Sequence, residues 1–271
     1  MDARLQRRVQ RYGWDLASSQ YERFWRDQLR PAQDRLLEMA ALRPGERVLD
    51  VACGTGLVTF PAAEAVGPAG AVFATDLSDA MVRALRDTAR RLGHDHVRAE
   101  RMDAESLAVE DASFDAALCA LGLMYVPDPI AALREMRRAV VRNGRVLAAV
   151  WGAREHCGWA DVFPIVDARV ATEVCPLFFQ LGTGDSLAYA LDAAAIHDVE
   201  TARVTATLHY PSGDAAVGAA FVGGPVALAY SRFDEATRDA VHAEYLASIE
   251  PFRQGRGYAI PGEFVVACGT T

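Results

Sequence analysis

The sequence predicts an α/β fold: a doubly wound, mostly parallel sheet of seven strands, with helices before it and a helical cover inserted ahead of the last strand. Three observations favour this fold. From Val48 onwards, short apolar runs alternate with segments of helical periodicity, as in β-α-β units. A loop of small residues, ACGTG at 52–56, directly follows the first run. The 271 residues are 51% apolar, which is enough for a sizeable core.

Five strands are expected in the first half of the chain. Each is a short apolar run, and turn or helix signals separate it from the next. The fifth run follows a turn at Asn143 and Gly144 and ends at Trp151. The predicted strands lie at 48–52, 71–76, 96–102, 114–121 and 145–151.

Helices are expected between these strands, and local signals mark their ends. Ser78 is the predicted N-cap of one helix and Gly93 its C-cap. Asp128 is the predicted N-cap of another, which places Pro129 at the first helical position, where proline is favoured. The helix before the second strand contains Pro61, which must lie in its first turn or kink it.

The second half is predicted to supply two more strands and the cover. A helix is expected at 185–196, the sixth strand at 200–210 and the last strand at 258–269. Two helical segments between these strands, at 213–222 and 233–249, form the predicted cover over the ligand crevice. Helices are also expected at 1–45, with aromatic residues that could cap the same crevice: Tyr12, Trp14, Tyr21, Phe24 and Trp25. We interpret 1–271 as one domain, made of an N-terminal cap at 1–45, a cofactor-binding core at 46–152 and the remaining strands with the cover at 153–271.

Composition and charge exclude several classes of protein. The 28 Lys and Arg residues against 36 Asp and Glu residues give a net charge of −8, which repels nucleic-acid phosphates. Five cysteines without a C-x-x-C pair indicate neither a disulfide scaffold nor a metal site. No apolar leader or membrane-spanning stretch is evident. We therefore expect a soluble cytoplasmic protein that binds no metal or nucleic acid and does not insert into membranes.

The loop at 52–56 allows several interpretations. Its two glycines could serve only a tight turn that lets a helix pack on a strand. A dinucleotide fingerprint needs a third glycine where the sequence has Thr59, although Asp76 lies 20 residues after Gly56 (76 − 56), as a ribose-binding acid would. A Walker loop is excluded because no Gly-Lys-Ser/Thr follows.

Asp50 distinguishes among nucleoside cofactors. A carboxylate at the end of the first strand would oppose a pyrophosphate, but it could hold a cationic ligand or orient the loop. S-adenosylmethionine fits, because it carries a ribose, an adenine, a sulfonium and an amino acid but no phosphate.

The ordered motifs resemble one family. VLDVACGTG, then ATDLSDAM, then RMDAESLAVEDASFDAALCALGLMYVPDPIAALREMRRAVVRNGRVL resemble the class I S-adenosylmethionine-dependent methyltransferases, and within them the ubiquinone and menaquinone biosynthesis subgroup. The resemblance spans about 45–152. It implies a Rossmann-like methyltransferase fold, S-adenosyl-L-methionine as cofactor and a small-molecule methyl acceptor.

The resemblance also implies roles for individual residues. Asp50, Ala52, Gly54 and Gly56 would form the loop beside the methionine part of the cofactor, and Asp76 would bind both ribose hydroxyls. Further contacts are implied for Leu77 and Met81 against the adenine, Asp103 and Ala104 at its edge, Ala120 and Leu121 near the methionine group, and Tyr21 from the N-terminal segment. The family's usual D-x-G-x-G-x-G loop has glycine where this chain has Ala52. Since alanine favours negative φ, we expect a less strained first turn here.

Methyl transfer is an in-line displacement, so alignment and a dry cavity matter more than reactive side chains. If the acceptor is a phenol or enol, a base helps, and His156, just after the fifth strand, is the candidate. We predict methylation at oxygen or carbon of a small apolar or aromatic molecule, such as a quinone or secondary metabolite. The alternatives are a nicotinamide-dependent oxidoreductase and a cofactor-binding protein without turnover. The oligomeric state is open, and a homodimer is allowed.

Overall fold

The computed structural model of the protein describes residues 2–171, 175 and 177–271; Met1, at the start of the predicted N-terminal segment, lies outside this range. These residues form one central sheet with helices packed against it. The strands are β1 (Arg47–Val51), β2 (Ala71–Asp76), β3 (Val97–Arg101), β4 (Phe114–Ala120), β5 (Val140–Trp151), β6 (His197–Tyr210), β7 (Arg253–Gln254) and β8 (Gly257–Thr270).

The strand order confirms the predicted fold class. Hydrogen bonding gives the order β3-β2-β1-β4-β5-β8-β6, and the two-residue β7 pairs with β8 alone. The pairs from β3 to β5 are parallel, whereas β8 runs antiparallel to both of its neighbours. The order reverses between β1 and β4, and such a switch point opens a crevice at the carboxyl ends of the strands.

Burial agrees with the position of each parallel strand in the sheet. Parallel strands are covered on both faces and therefore consist of nearly continuous apolar residues. Val48 and Leu49 of β1, Leu118 of β4 and Leu147 of β5 are fully buried. β3 alternates between buried and exposed residues, as expected of the strand at the edge.

The helices follow the predicted alternation with the strands. They are α1 (Ala3–Ala40), α2 (Thr59–Val66), α3 (Asp79–Leu92), α4 (Pro129–Ala139), α5 (Val162–Asp167), α6 (Ser186–Ala193), α7 (Gly213–Val217), α8 (Ala227–Tyr230) and α9 (Glu235–Ile249). Single 3₁₀ turns lie at Leu123–Tyr125, Arg154–His156 and Glu250–Phe252, and a π-helical turn at Gly218–Val222 follows α7. None of the helices that the structure describes has the length and apolar character needed to cross a bilayer.

The predicted helix ends are confirmed where the signal is local. Ser78 Oγ accepts a hydrogen bond from the Met81 amide at 3.1 Å, and Asp128 Oδ1 accepts one from the Ala131 amide at 2.9 Å. Gly93 closes α3 in the left-handed conformation with a φ of 72°. Such caps satisfy amide groups that lack partners inside the helix.

Two predictions about the elements are wrong. Residues 3–40 form one continuous helix instead of several, because Pro31 removes only a single main-chain donor, whereas the helix buries an apolar face that includes Trp25 and Leu36. The predicted turn at Asn143 and Gly144 lies inside β5, which already begins at Val140. Asn143 has a φ of 60°, and the pairing register with β4 shifts in this region.

α1 and the helices before the last strand complete the fold around the crevice. α7, α8 and α9 lie between β6 and β8 in sequence, where the cover was predicted. α1 contacts β5, β6 and β8 of the sheet as well as α3 and α8. One helix therefore joins the cover to the sheet.

The C-terminal end of α1 is fixed by Arg145 on β5. Its guanidinium donates to the main-chain oxygens of Ala40 at 2.5 Å and Ala41 at 3.0 Å, and it pairs with Glu46 at 2.5 Å. The Arg145 and Glu46 side chains are only 19% and 17% exposed, so solvent cannot replace this pairing easily.

We expect Arg145→Met to lower the free energy of unfolding by about 2–4 kcal/mol, because it removes the cation from the largely buried Glu46 carboxylate and the donors from two carbonyl groups. Urea denaturation measures this change. Arg142→Met, at an exposed arginine on the same strand, is the matched control and should change stability by less than about 0.5 kcal/mol. Equal effects of the two substitutions would contradict the assigned role of Arg145.

Candidate active site

A cavity of about 760 Å³, counting its part open to solvent, lies at the carboxyl ends of the strands around the switch point. Its walls come from the ends of β1, β2 and β4, from the segment after β3 and from α1. We call it the strand-end cavity.

The strand-end cavity brings together most of the site residues predicted from sequence. All but Asp50, Gly56 and His156 are among its lining residues: Tyr21, Ala52, Gly54, Asp76, Leu77, Met81, Asp103, Ala104, Ala120 and Leu121. The sequence interpretation missed Arg7, Gln10 and Val126, which also line the cavity.

Asp76, the last residue of β2, organises the polar side of the cavity. Its Oδ2 accepts a hydrogen bond from the Gly54 amide at 2.9 Å and its Oδ1 one from the Ser78 amide at 2.8 Å. Burial raises the pKa of Asp76 to about 6, although these amides act in the opposite direction. Because a carboxylate has about four lone-pair sites, Asp76 keeps capacity for a further donor.

The backbone of Ala52 differs from the relaxed first turn that was expected from the sequence. It has a φ of 57°, in the left-handed region, so the first turn is not relaxed as the sequence suggested. Tertiary packing accounts for this conformation: Gly122 lies so close that a Cβ there would be 2.4 Å from the Ala52 Cβ. Leu121, on the facing loop, also has a positive φ, of 62°. Two residues in the left-handed region thus line the cavity, and such strain is common at functional sites.

Asp50 lies behind the loop and is not a lining residue. It is 1% exposed, and its Oδ2 accepts a hydrogen bond from Thr59 Oγ1 at 2.6 Å. Burial raises the pKa of Asp50 to about 7, the Thr59 hydroxyl lowers it in part, and the charge of Asp76 raises it further. Of the two roles expected for Asp50, the geometry favours orientation of the loop over direct contact with a ligand.

Gly56 lies outside the cavity lining, and it allows the Phe60 ring to pack closely against the loop. It has a φ of 101°, and a Cβ there would lie 2.5 Å from the Phe60 ring. Only glycine combines that conformation with so close an approach. Gly56 therefore lets α2 start directly against the loop, and Gly54 alone of the two glycines faces the cavity.

Asp103 forms an ion pair with Arg7, which was not predicted from the sequence. Its Oδ2 lies 2.8 Å from Arg7 Nε, and its Oδ1 accepts a hydrogen bond from the Glu105 amide at 3.0 Å. Arg7 also pairs with the Glu105 carboxylate, at 2.6 Å. The lone cation in the described lining is thus already neutralised by two acids.

α1 is fastened across the cavity by residues at i, i+4 and i+8. Arg7 pairs with Asp103, Arg11 pairs with Asp79 at 2.5 Å, and Asp15 Oδ1 accepts from Ser78 Oγ at 2.6 Å and from the Ala80 amide at 3.0 Å. The regular spacing of Arg7, Arg11 and Asp15 on one helix face was the sequence signal that could have identified this contact. The helix therefore closes one side of the cavity.

A second, smaller cavity adjoins the first. Trp14, Tyr21, Leu121 and Tyr125 line both, so the two spaces meet at these side chains. Aromatic and aliphatic residues supply the rest of its lining: Trp25, Leu29, Met124, Trp151, Trp159, Phe178 and Pro225. We call it the aromatic cavity.

The tyrosines at the junction are not bases at neutral pH. Burial raises the pKa of both Tyr21 and Tyr125 above the usual range, and the charge of Asp76 adds to the effect on Tyr21. Both hydroxyl groups therefore remain protonated and able to donate hydrogen bonds. Trp14 packs edge-on against both rings, with centroids 5.7 Å from Tyr21 and 5.2 Å from Tyr125.

His156 does not lie at the crevice, where it was predicted from the sequence. It is absent from the described lining of both cavities. Its Nδ1 lies 3.0 Å from Glu263 Oε2, and Arg203 donates to the same oxygen at 2.7 Å. His156 follows β5 directly, but the chain turns there towards β8, so proximity in sequence was misleading.

Comparisons with known proteins agree with this arrangement. A family model described as a methyltransferase domain matches residues 48–144. The chain is 30% identical to nocamycin O-methyltransferase of Saccharothrix syringae over 83% of its own length and 85% of that protein. It is 31% identical to the ubiquinone/menaquinone biosynthesis C-methyltransferase UbiE of Shewanella frigidimarina, over 70% of this chain and 72% of that protein. It is also 33% identical to the aklanonic acid methyltransferase DauC of a Streptomyces species, over 49% of this chain but only 60% of that relative.

A solved structure supports the fold. The YcgJ protein of Bacillus subtilis superposes with a TM-score of 0.60 at 19% identity, covering 89% of this chain and 98% of that one. The fold and the strand-end cavity define a Rossmann-like protein that binds a nucleoside cofactor. The chain belongs to the class I S-adenosylmethionine-dependent methyltransferases, of the UbiE-like kind.

If Asp76 binds the ribose of the cofactor, binding will depend on its ionisation. Donated hydrogen bonds favour the carboxylate, so the raised pKa of about 6 must fall on binding, and affinity is lost as pH decreases through 6. We expect calorimetry to show S-adenosylhomocysteine binding about tenfold more weakly at pH 5 than at pH 8. Asp76→Asn should weaken binding by about 10- to 100-fold at pH 8 and abolish the pH dependence.

Asp87→Asn is the matched control, because Asp87 is an exposed acid on α3 whose partner is Arg90. It should leave both affinity and pH dependence unchanged. An Asp76→Asn protein that binds like the wild type would refute a ribose-binding role for Asp76.

Proposed function

We propose that this methyltransferase transfers its methyl group to an oxygen or carbon atom of a small, uncharged, largely aromatic acceptor. One observation supports this most directly: a polar cavity with a strand-end carboxylate adjoins an apolar, aromatic cavity through Tyr21, Leu121 and Tyr125. The first suits the cofactor and the second the acceptor. The junction is where the donor and acceptor atoms would meet.

The lining of the strand-end cavity fits S-adenosylmethionine. The free lone pairs of Asp76 would accept from the ribose hydroxyls, while Leu77 and Met81 offer an apolar surface for the adenine. Asp103 and Ala104 would lie at the edge of that base. A pyrophosphate fits poorly, because the one cation, Arg7, in the described lining is already paired with two acids.

The junction also suits a positively charged donor. The bound cofactor would supply an electrophilic methyl group on a sulfonium. Rings of Trp14, Tyr21 and Tyr125 line the space, and aromatic faces attract cations, most strongly where water is excluded. Ala120 and Leu121 bring main chain to the same place. Together these groups would hold and align the donor in a dry setting.

Proton transfer would not depend on histidine at this site. Tyr21 and Tyr125 stay protonated, so they would donate hydrogen bonds to an acceptor oxygen and orient it. A phenol or enol acceptor would release its proton to water, and hydrogen bonds from the two tyrosine hydroxyls would stabilise the resulting oxyanion. Its oxygen or carbon would then attack the methyl group as the sulfur–methyl bond breaks. Such acceptors agree with the names of the relatives, which include a C-methyltransferase and an O-methyltransferase.

Thermal denaturation separates this proposal from the nicotinamide alternative. At about 100 times its dissociation constant, a ligand of the native state adds roughly 2.7 kcal/mol of stability, which should raise the midpoint by about 5 °C or more. We expect S-adenosylhomocysteine to give this shift and NAD at the same concentration to give none. Stabilisation by NAD alone would contradict the proposal.

Turnover distinguishes an enzyme from a protein that only binds the cofactor. Label from methyl-labelled S-adenosylmethionine should appear in phenolic or enolic polycyclic acceptors, and Asp76→Asn should reduce the rate in line with its loss of cofactor affinity. Asp87→Asn should not. Cofactor binding without label transfer to any acceptor of this class would establish the binding-only alternative.

A further inference from the structure

The outer edge of the sheet, at β6, has no neighbouring strand among the described residues. β6 ends the strand order and pairs with β8 alone. It is 14 residues long, and its segment 201–207 contains neither proline nor lysine, two residues that commonly protect an edge. The side chains of Thr201, Arg203, Thr205 and Thr207 are exposed. The edge is therefore accessible, and a long accessible edge pairs readily with a further strand.

The side-chain amide of Gln28 shows which main-chain groups of β6 face outwards. Gln28 Nε2 donates to the His209 carbonyl oxygen at 2.7 Å, and the His209 amide donates to Gln28 Oε1 at 3.0 Å. His209 therefore turns both groups away from β8, and Gln28 bonds to them as a neighbouring strand would. Because these directions alternate along an antiparallel strand, every second residue back to 201 also turns its N–H and C=O outwards. No other described residue bonds to those groups within 201–207.

Two features set the limits of this open segment. At one end, the Gln28 amide already occupies the outer groups of His209. At the other end, a bulge around Asp198, which has a φ of 51°, interrupts the register with β8. A bulge bends the strand away from a regular ladder and so prevents further pairing. The open segment is therefore 201–207, and its midpoint is Val204.

The main chain of a second copy of this segment matches the open edge when it runs antiparallel. With Val204 opposite its own copy, the outward residues pair as 201 with 207 and 203 with 205. Each such pair exchanges two hydrogen bonds, so the two segments together form about eight. The bulge at one end of each copy ends the ladder before it reaches the Gln28 amide of the other.

The side chains of the two copies are also compatible in this register. Directly opposed residues lie on the same face of a sheet and contact each other. Apolar residues meet on one face, and threonines and an arginine meet on the other, so no like charges are opposed. The opposed pairs are Val204 with Val204, Ala202 with Ala206, Thr201 with Thr207 and Arg203 with Thr205.

Arg203 does not guard the edge against this pairing. Its guanidinium donates to Glu263 Oε2 at 2.7 Å, and Glu263 lies on β8, so the side chain is directed away from the edge. A pairing centred on Arg203 would oppose two like charges. One centred on Thr205 would extend into the part of the edge that Gln28 occupies. The register centred on Val204 avoids both conflicts.

We propose that the protein forms a two-fold symmetric dimer in which residues 201–207 of β6 pair antiparallel with the same segment of a second copy. One continuous sheet then runs through both subunits, and each contributes the same surface, as two-fold dimers do. The strand-end cavity lies around the switch point between β1 and β4, away from this edge, so it stays accessible. The inference does not rest on the proposed function, because cofactor binding plays no part in it.

Sedimentation of the full chain from about 1 to 100 µM, a range that covers weak and moderate dimers, tests the proposal. The mass should rise with concentration from that of one 29.3 kDa chain to that of two. Thr205→Lys places a cation opposite Arg203 of the partner subunit, twice in each dimer, and should weaken association at least about tenfold. Thr205→Glu, at the same position, should not weaken it. Leu16→Lys, at a half-exposed residue of α1, is the control for other surfaces and should leave the mass unchanged.

Val204→Cys tests the register even if association is weak. Opposed residues of a non-hydrogen-bonded pair have Cα atoms about 4.5 Å apart, which is within disulfide range, so mild oxidation should link two chains. Ala202→Cys is the matched control, because its two copies would lie roughly 14 Å apart and should not link. The wild-type protein, with its five native cysteines, shows any link that does not depend on the new residue.

Three results would each overturn the proposal: a wild-type chain that stays monomeric at about 100 µM, equal cross-linking of the two cysteine variants, or a dimer that Thr205→Lys leaves intact. Dissociation by Leu16→Lys alone would place the contact on α1 instead. Calorimetry with S-adenosylhomocysteine on the same samples should give equal affinities for the wild type and Thr205→Lys. A failure of cofactor binding would therefore be detected separately from a failure to dimerise.

Discussion

The hydrogen bonds from two main-chain amides to the Asp76 carboxylate are the interaction on which the site depends. They join the loop after β1, through Gly54, to the loop after β2, through Ser78. Strand pairing alone would bring these loops near each other, but it would not fix their distance. Because Asp76 is buried and its pKa is raised, the same group that shapes the site can gain from donors that a ligand brings.

α1 gives this carboxylate its dry surroundings. Asp15 caps the same Ser78 and Ala80 region that Asp76 helps to hold, and Trp14 and Tyr21 extend from the helix over the cavity. Trp25, about one turn beyond Tyr21, reaches the aromatic cavity. A single helix, α1, thus contributes side chains to the walls of both the strand-end cavity and the aromatic cavity.

Local signals in the sequence predicted the framework well. The caps at Ser78 and Asp128 and the glycine that ends α3 depend on neighbouring residues only, so they could be identified without a structure. The alternation of apolar runs and helical segments similarly predicted the sheet. The resemblance of the motifs to a known family predicted which residues lie at the strand ends. Ten of the predicted site residues meet in one cavity for that reason.

The errors arose where contacts between distant residues decide the outcome. The positive φ of Ala52 is maintained by packing against Gly122, and the turned-away carboxylate of Asp50 is bonded to Thr59. His156 contacts Glu263, 107 residues later in the chain, instead of lining the cavity. The walls of the aromatic cavity come from α1, the end of β5 and the segment before α5. Periodicity within each segment could not predict that these distant segments pack together.

A crystal structure with S-adenosylhomocysteine would show whether Asp76 holds the ribose of the cofactor. We expect both ribose hydroxyls within about 2.6–3.2 Å of the Asp76 carboxylate, which keeps its bonds to Gly54 and Ser78. The vacant space beside sulfur should open towards Tyr21 and Tyr125. A ribose bound elsewhere, or an Asp76 carboxylate that releases Gly54 and faces no ligand group, would contradict it.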